Sequence, residues 1–479
     1  MRAAAGIILI RGSRVFLAVR SGSARFLPGF HSFPGGAVEA VDREVAVEEA
    51  PVEPELVSAA LRELFEETGV LLAHGPVPPE RLREAARLEL CAGRLSWREF
   101  LDRHGLVLSG RSLLPAGVRV TPPYSAIRFR AQFFLAECPP DQEPRVFDAE
   151  ISGGLWLEPG EALRQWSRGE ILLPAPTLGA MRHLAARSPA DAARAMEEEG
   201  PGNGLPGPEI PLAPGLIYLP LETATIPPAR HTNAIFLGGE RMLLIDPGSD
   251  RPDQLELLRG VMAALETEGR RILEVVLTHH HPDHAAGACA LGLPIAAHPL
   301  TARKVRVDRT LDDGFSWDLG RDPFGGAWDI AALHTPGHAP GHLALWEPQR
   351  RFLVAGDLVS GVSTIVIEPT EGDMALYLES LAQMRALRPR LVLPAHGPPS
   401  GPESDVFGQL IQHRLERERR VAGALSARPA APEDLLPLAY PDLPRDLYPV
   451  AERSLLAHLI KLAREGRAIE TGSGWKTTP

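Results

Sequence analysis

The sequence predicts a multidomain protein of mixed α/β and α+β class, and three observations carry that prediction. The chain has 479 residues, 44% of them hydrophobic, enough to bury more than one core. Between Arg187 and Gly215 the periodic pattern fails in "EEEGPGNGLPGPEIPLAPG", where Gly and Pro disfavour regular pairing and mark a connector. After it, apolar runs such as "LIYLPL", "RMLLIDPG" and "ILEVVLTH" alternate with helical patterns such as Gln254 to Glu268, as in a layered α/β domain. The expected order is a first domain at 1–187, a linker at 188–214, a second domain at 215–404 and a small C-terminal domain at 405–479. No internal repeat is evident.

Bulk properties exclude little but are informative. A formal charge of −11 implies no general polyanion-binding surface, although divalent cations would offset part of it locally. Cys91, Cys138 and Cys289 lack the spacing of a thiolate zinc site or a disulfide framework, so a reducing cytoplasm is expected. No apolar run reaches membrane-spanning length, and no membrane partner is expected. Ala3 to Ile10 follows Arg2 as in a short signal peptide but lacks a small-residue cleavage site, and the turn at Gly12-Ser13 before Val15 to Val19 makes it the first strand of a hairpin. The oligomeric state is left open.

The first chemistry lies in "AALRELFEETGV", Ala59 to Val70. Residues three and four apart share a helix face, so Glu63 stands beside Glu66 and Glu67. Such like charges repel unless cations bind between them, and hard oxygen ligands suit Mg²⁺ or Mn²⁺. A solvated acidic face is the plain alternative for the glutamate pair alone. Gly69 is placed to end the helix.

Upstream, "FLPGFHSFPGGAVEAVD" supplies a strand and a Gly-rich turn able to approach a phosphate. Here the sequence resembles the Nudix hydrolases, whose motif reads G-x5-E-x7-R-E-U-x-E-E-x-G-U with U bulky and apolar. Gly36, Arg62, Glu63, Leu64, Glu66, Glu67, Gly69 and Val70 match it. Asp42 stands in place of the first Glu, and Arg43 to Leu61 replaces the short spacer, both similar to the coenzyme A diphosphatase-like branch. That branch also shares the pattern "IRFRAQFFLAECP". The resemblance implies an α/β/α sandwich with Glu66 and Glu67 as metal ligands and Glu63 as ligand or base. It implies that Arg62 positions the helix, with Gly36 and Asp42 structural, and that a nucleotide or coenzyme A-like small molecule is the substrate. Arg25, Phe30 and His31 are open to nucleotide contact or to loop packing and surface charge.

The densest motif is "VLTHHHPDHAAGA", Val276 to Ala288, at the end of a predicted buried strand where α/β layers place their sites. By spacing, His279 and His281 can converge on one ion while Asp283 and His284, a turn later, reach a second; His280 points elsewhere. Further ligands should stand at strand ends, and His338, Asp357 and His396 do, in "LHTPGHAPGH", "FLVAGDLVSG" and "LVLPAHGPP". With Asp246 in "LLIDPG" these resemble the ordered motifs of the metallo-β-lactamase fold over Leu216 to Pro399. The resemblance implies an αββα sandwich with two Zn²⁺, or Fe or Mn. His279, His281 and His338 would bind one ion, and Asp283, His284 and His396 the other. Asp357 would bridge them, and Asp283 would also orient the nucleophile and shuttle its proton. Asp246 is expected to hold loops, His334 and His342 to hydrogen-bond behind the ligands or simply pack, and His298 to face substrate or be structural.

From Asp405 on, two helical patterns and a Gly-turned end resemble the winged-helix tail of the β-lactamase-like protein 2 subgroup, whose members include single-strand-selective endoribonucleases. In that role Arg445, Arg453, Lys461, Arg464 and Arg467 would contact phosphates. Interleaved acids and the lack of an aromatic stacking row favour instead a solvated face packed on its neighbour. The second site is expected to be a phosphodiesterase cutting single-stranded RNA, with a glyoxalase-II-like thioesterase acting on acyl-coenzyme A or another thioester, and a metal-structured binding module, as the alternatives.

Overall fold

The computed structural model describes residues 1–478 except 23, 25, 26, 122–126, 147–149, 203–208 and 403. Arg25 thus lies outside the described residues. Contacts divide the chain into two compact units, Met1–Pro214 and Gly215–Pro479.

In the first unit the hairpin Arg2–Arg11 and Arg14–Arg20 turns at Gly12, whose φ of 60° suits glycine. Arg2–Arg11 also pairs in parallel with Phe129–Glu137 and antiparallel with Gly35–Ala37, so it lies inside the sheet. Its uninterrupted apolar run has a direct cause: both faces are covered. Ile7, Leu9, Phe16 and Ala18 pack against Val57, Leu61, Leu64 and Phe65 of the helix Pro54–Thr68. On the other face Ile8, Ile10, Val15 and Leu17 meet Trp166, Leu178, Met181 and Met196. The spacer Arg43 to Leu61 is ordered by a short strand, Val47–Glu48, paired with Leu108–Ser109.

The expected linker at 188–214 needs correction. Its first part is the helix Pro189–Glu198, started by Ser188, whose Oγ accepts from the Asp191 amide at 3.3 Å. Ala192, Ala193 and Met196 lie in the first unit's core, and Arg119 donates to the Met196 carbonyl at 3.3 Å. Ser before Pro at the first helical position is a helix start, a local signal that outweighs the Gly/Pro content further on.

The second unit is built on two large sheets. One runs Leu216–Glu222, His231–Gly238, Arg241–Ile245, Arg271–Val276, Ile295–Ala297 and Arg309–Thr310; the other runs Ser316–Arg321, Ala327–His334, Leu343–Glu347, Phe352–Ser360 and Leu391–His396. Helix Pro252–Thr267 covers the first through Leu255, Leu258, Val261 and Leu265, and helix Met374–Ala386 covers the second through Tyr377, Leu381 and Met384. The sheets meet where Tyr218 Oη and Asn233 Nδ2 donate to the Pro394 carbonyl at 3.3 and 3.0 Å.

The C-terminal segment does not separate from this unit. Phe407 of helix Val406–Ala424 and Ala457 of helix Tyr448–Arg464 join the core around Tyr377. Beyond it, Val421, Leu436, Leu455, Leu459 and Trp475 form a small core closed by the hairpin Ala468–Thr471 and Gly474–Thr477. Glu418 is buried there between Lys461 Nζ at 2.8 Å and Arg467 Nη1 at 2.9 Å. Burial opposes its ionisation, but His458, Lys461 and Arg467 hold its carboxyl down at about 2.

A carboxyl depressed in the folded state stabilises above its unfolded pKa of about 4.3 and loses that contribution as pH falls towards about 2. Glu418→Gln should therefore lower stability by about 1–3 kcal/mol near neutrality. The deficit against wild type should shrink when thermal unfolding is repeated near the lower pKa. A deficit of the same size under both conditions would contradict this.

Candidate metal sites

The helix Pro54–Thr68 carries the first site and ends at Gly69, where φ is 73°. Arg62, 3% exposed, is surrounded by carboxylates. Its Nε and Nη2 donate to the two oxygens of Asp42 at 3.1 and 3.0 Å, and Nη1 to Glu63 at 3.0 Å and Glu66 at 2.9 Å. Asp42, fully buried, also accepts from Ser58 Oγ at 3.1 Å and the Glu39 amide at 2.9 Å, so it anchors the Gly-rich turn to the helix. Glu67 accepts from the Gly35 amide at 3.0 Å. A Cβ on Gly36 would lie 2.4 Å from the Glu63 carboxylate, which is why that position has none.

Desolvation raises Glu63 to about 7 and raises Glu66 as well, with Arg62 opposing both. One guanidinium does not neutralise this acidic set, and an oxygen-only donor set of this charge fits Mg²⁺ or Mn²⁺. Arg87 of helix Glu80–Cys91, unremarked in the sequence, caps the helix end by donating to the carbonyls of Glu66 and Glu67 at 2.5 and 2.7 Å. Phe30 is fully buried and serves the interior, while His31 sits half-buried in the short strand His31–Ser32.

In the second unit the strand Arg271–Val276 delivers Thr278 to His284 at its end, and Asp357 and His396 stand on neighbouring strands. His279 Nε2 and His338 Nε2 lie 2.8 and 3.0 Å from His281 Nδ1. The ligand atoms of these three residues lie within 4.8 Å of one another, as do those of Asp283, His284 and His396 and those of His279, His284 and Asp357. Asp357 stands between the groups, 3.4 Å from His338, 3.6 Å from His284 and 3.4 Å from His396. Glu63, Glu66 and Glu67 form no comparable group among the described residues.

A second layer fixes these side chains. Asp246, at a φ of 47°, accepts from the Thr278 amide at 2.8 Å and hydroxyl at 2.6 Å, and pairs with His284 Nδ1 at 2.8 Å. His396 Nδ1 donates to the His231 carbonyl and His338 Nδ1 to the Val366 carbonyl, both at 2.9 Å. His342 Nε2 accepts from the Asp357 amide at 3.1 Å, so His342 holds the strand that carries the carboxylate. His334 is farther back, donating to the Pro340 carbonyl at 2.9 Å and stacked on His298 at 4.0 Å. His280 turns to Glu371, 3.1 Å away, a residue that no motif or periodicity singles out.

Burial and neighbouring imidazoles push His279 well below its usual value, and burial lowers His338 to about 4, so both stay neutral. Burial works against His284 and His396 being charged, but Asp357, with Asp246 for His284, raises both. Two atoms in the middle, His284 Nε2 and Asp357 Oδ1, are buried without a hydrogen-bond partner. Orphaned nitrogen and oxygen atoms facing one centre fit divalent cations with a preference for mixed N and O ligands.

Comparison with known proteins agrees with this layout. Residues 1–173 match the NUDIX domain, residues 227–396 the metallo-β-lactamase superfamily, and residues 431–475 the β-lactamase associated winged helix domain. A β-lactamase-like protein 2 homolog of Caenorhabditis elegans is 29% identical over 49% of this chain and 79% of its own length. A hydroxyacylglutathione hydrolase of Bdellovibrio bacteriovorus is 27% identical over 32% of this chain and 57% of its own length. The crystal structure of a NUDIX hydrolase from Alicyclobacillus acidocaldarius is 31% identical and covers 41% of this chain and 96% of that one, with a TM-score of 0.37. The chain is a hydrolase that carries, in order, a NUDIX domain, a metallo-β-lactamase superfamily domain and a β-lactamase associated winged helix domain.

Proposed function

We propose that the chain hydrolyses two kinds of bond at two separate metal-dependent sites. The first unit takes a nucleoside diphosphate derivative, coenzyme A-like by preference, and the second cleaves an ester-type bond with two cations. The observation that carries the second assignment is the pair of orphaned atoms, His284 Nε2 and Asp357 Oδ1, between two groups of neutral or paired ligands. Zn²⁺, Fe or Mn there would supply a water nucleophile at neutral pH and stabilise the charge that develops. Asp283, 3.5 Å from His396 and partly exposed, is placed to orient that nucleophile and move its proton. In the first unit Glu66 and Glu67 would hold Mg²⁺ or Mn²⁺ while Glu63 acts as ligand or base.

For the second site a thioester of a small carrier, such as an acyl-coenzyme A, is the preferred substrate. Four of the five basic tail residues considered for RNA have acidic partners on this chain: Arg453 with Glu368, Lys461 with Glu418 and Glu465, Arg464 with Asp373, and Arg467 with Glu418 and Glu465. Arg445 is exposed and has no acidic partner among the described residues. The hydroxyacylglutathione hydrolase relative supports the same choice. Single-stranded RNA is the second reading, supported by the winged helix match.

The deciding assay follows thiol release from acyl-coenzyme A, cleavage of end-labelled single-stranded RNA and cleavage of the coenzyme A diphosphate by the full-length protein. Asp283→Asn should reduce thiol release by about 10²- to 10⁴-fold. Glu66→Gln should abolish diphosphate cleavage and leave thiol release unchanged. RNA cleavage that needs Asp283, without thiol release, would replace the thioester reading.

The raised carboxyl of Glu63 adds a pH dependence. Cation binding needs the ionised form, so Mn²⁺ affinity at the first site should rise as pH rises through about 7. Titration of wild type and Glu63→Gln on either side of that value should show the rise in wild type alone; parallel curves would refute it.

A further inference from the structure

We propose that the segment 365–373, braced from behind by the C-terminal helices, is the positioning support for the ion that His279, His281 and His338 would hold. This rests on the two-cation reading of the second site. The contacts run in two tiers.

The first tier sets proton positions. Glu371 Oε1 lies 3.2 Å from His281 Nε2, and Oε2 lies 3.1 Å from His280 Nε2 and 3.7 Å from Lys304 Nζ. A carboxylate at Nε2 requires the proton there, which leaves the lone pair of Nδ1 facing His279 and His338. The Val366 carbonyl does the same for His338, taking the Nδ1 proton and freeing Nε2. Two of the three imidazoles thus have their tautomer and ring orientation set by one segment.

The second tier holds the segment. Arg414, 2% exposed, donates to the Ile365 carbonyl and lies 5.4 Å over the Tyr377 ring, whose hydroxyl donates to the Leu358 carbonyl at 2.8 Å, one residue past Asp357. Arg453 reaches Glu368 at 3.5 Å and Arg464 pairs with Asp373. The Asp373 amide donates to the Gly337 carbonyl at 2.8 Å, beside His338. A Cβ on Gly337 would lie 2.3 Å from the Tyr377 backbone, so the His338 turn sits tightly on the helix Met374–Ala386. The pairs of Arg453 and Arg464 are solvent-exposed and weak. Arg414 is different, because its loss strands a buried carbonyl.

A competing role for Glu371 is a third cation, since its carboxylate groups with His280 and His281. Lys304 already supplies positive charge to the same oxygen that meets His280, which favours the positioning role.

The test is stepwise Zn²⁺ binding to the full-length apoprotein against a competing chelator, with metal content measured after dialysis and Mg²⁺ saturating the first unit. Glu371→Ala should retain one ion at wild-type affinity and weaken the other by about 10- to 100-fold. Glu371→Gln, which still accepts the His281 proton, should recover most of that loss. Arg414→Met should give the same one-ion weakening, smaller in size. Equal weakening of both ions, or a lower melting temperature with both affinities unchanged, would overturn the proposal, as would loss of a third equivalent. Should Arg414→Met fail to fold, the two Glu371 variants decide alone. A wild type that binds fewer than two ions in the second unit would instead refute the two-cation reading, whatever the variants do.

Discussion

The carboxylate of Asp357, 7% exposed with the imidazoles of His284, His338 and His396 within 3.6 Å, is the constraint on which the second unit depends. An ionised group this far from water is tolerated only with opposite charge beside it. That requirement explains the placing of the histidines: His396 ends its strand, and His284 and His338 stand in the short segments that follow the strands Arg271–Val276 and Ala327–His334. It also explains the layer behind them. Asp246, Thr278, His342 and the carbonyls of His231 and Val366 leave each ligating ring little freedom, since a rotated ring would strand a buried charge. Burial works against charge on His284 and His396, but Asp357 beside them raises both, so the carboxylate and the two rings favour each other's charged forms.

The first unit solves the opposite problem. Arg62 is a single buried cation among Asp42, Glu63 and Glu66, so negative charge is in excess. Asp42 takes the guanidinium side-on, through Nε and Nη2, and also accepts from Ser58 and the Glu39 amide, while desolvation drives Glu63 and Glu66 up. Glycine at 36 is part of the same geometry: a methyl group there would collide with Glu63.

Much of this was legible in the sequence, because it is local. The strand at Ala3 to Ile10, the helix with Glu63, Glu66 and Glu67 and its end at Gly69 follow from periodicity and turn chemistry, and the grouping of His279, His281, Asp283 and His284 from ligand spacing and family resemblance. What was not legible acts through space. Arg87 caps a helix from another helix, and Glu371 meets His280 and His281 from a segment with no periodic pattern. The helix Pro189–Glu198 was hidden for a different reason: the Ser-Pro start signal is short, and the Gly and Pro that follow dominate any window wide enough to measure composition. Phe30 was ambiguous because an aromatic in a Gly-rich turn serves a core or a ligand equally well until the strand beside it is placed.

The C-terminal helices show why fold alone does not settle a role. A winged helix offers basic side chains, and in isolation the series Arg453, Lys461, Arg464 and Arg467 reads as a phosphate-binding face. Each has an acid of the same unit within reach, so a nucleic acid binding there would have to displace pairs already formed, two of them on Glu418, which is buried. Breaking the Glu418 pairs would leave an unmatched carboxylate inside a small core, a cost that phosphate contacts on a solvated surface do not readily offset. The Glu368 and Asp373 pairs are exposed and weak, so it is the buried Glu418 that sets the cost of opening this face, and the winged-helix fold alone is no argument for nucleic acid there.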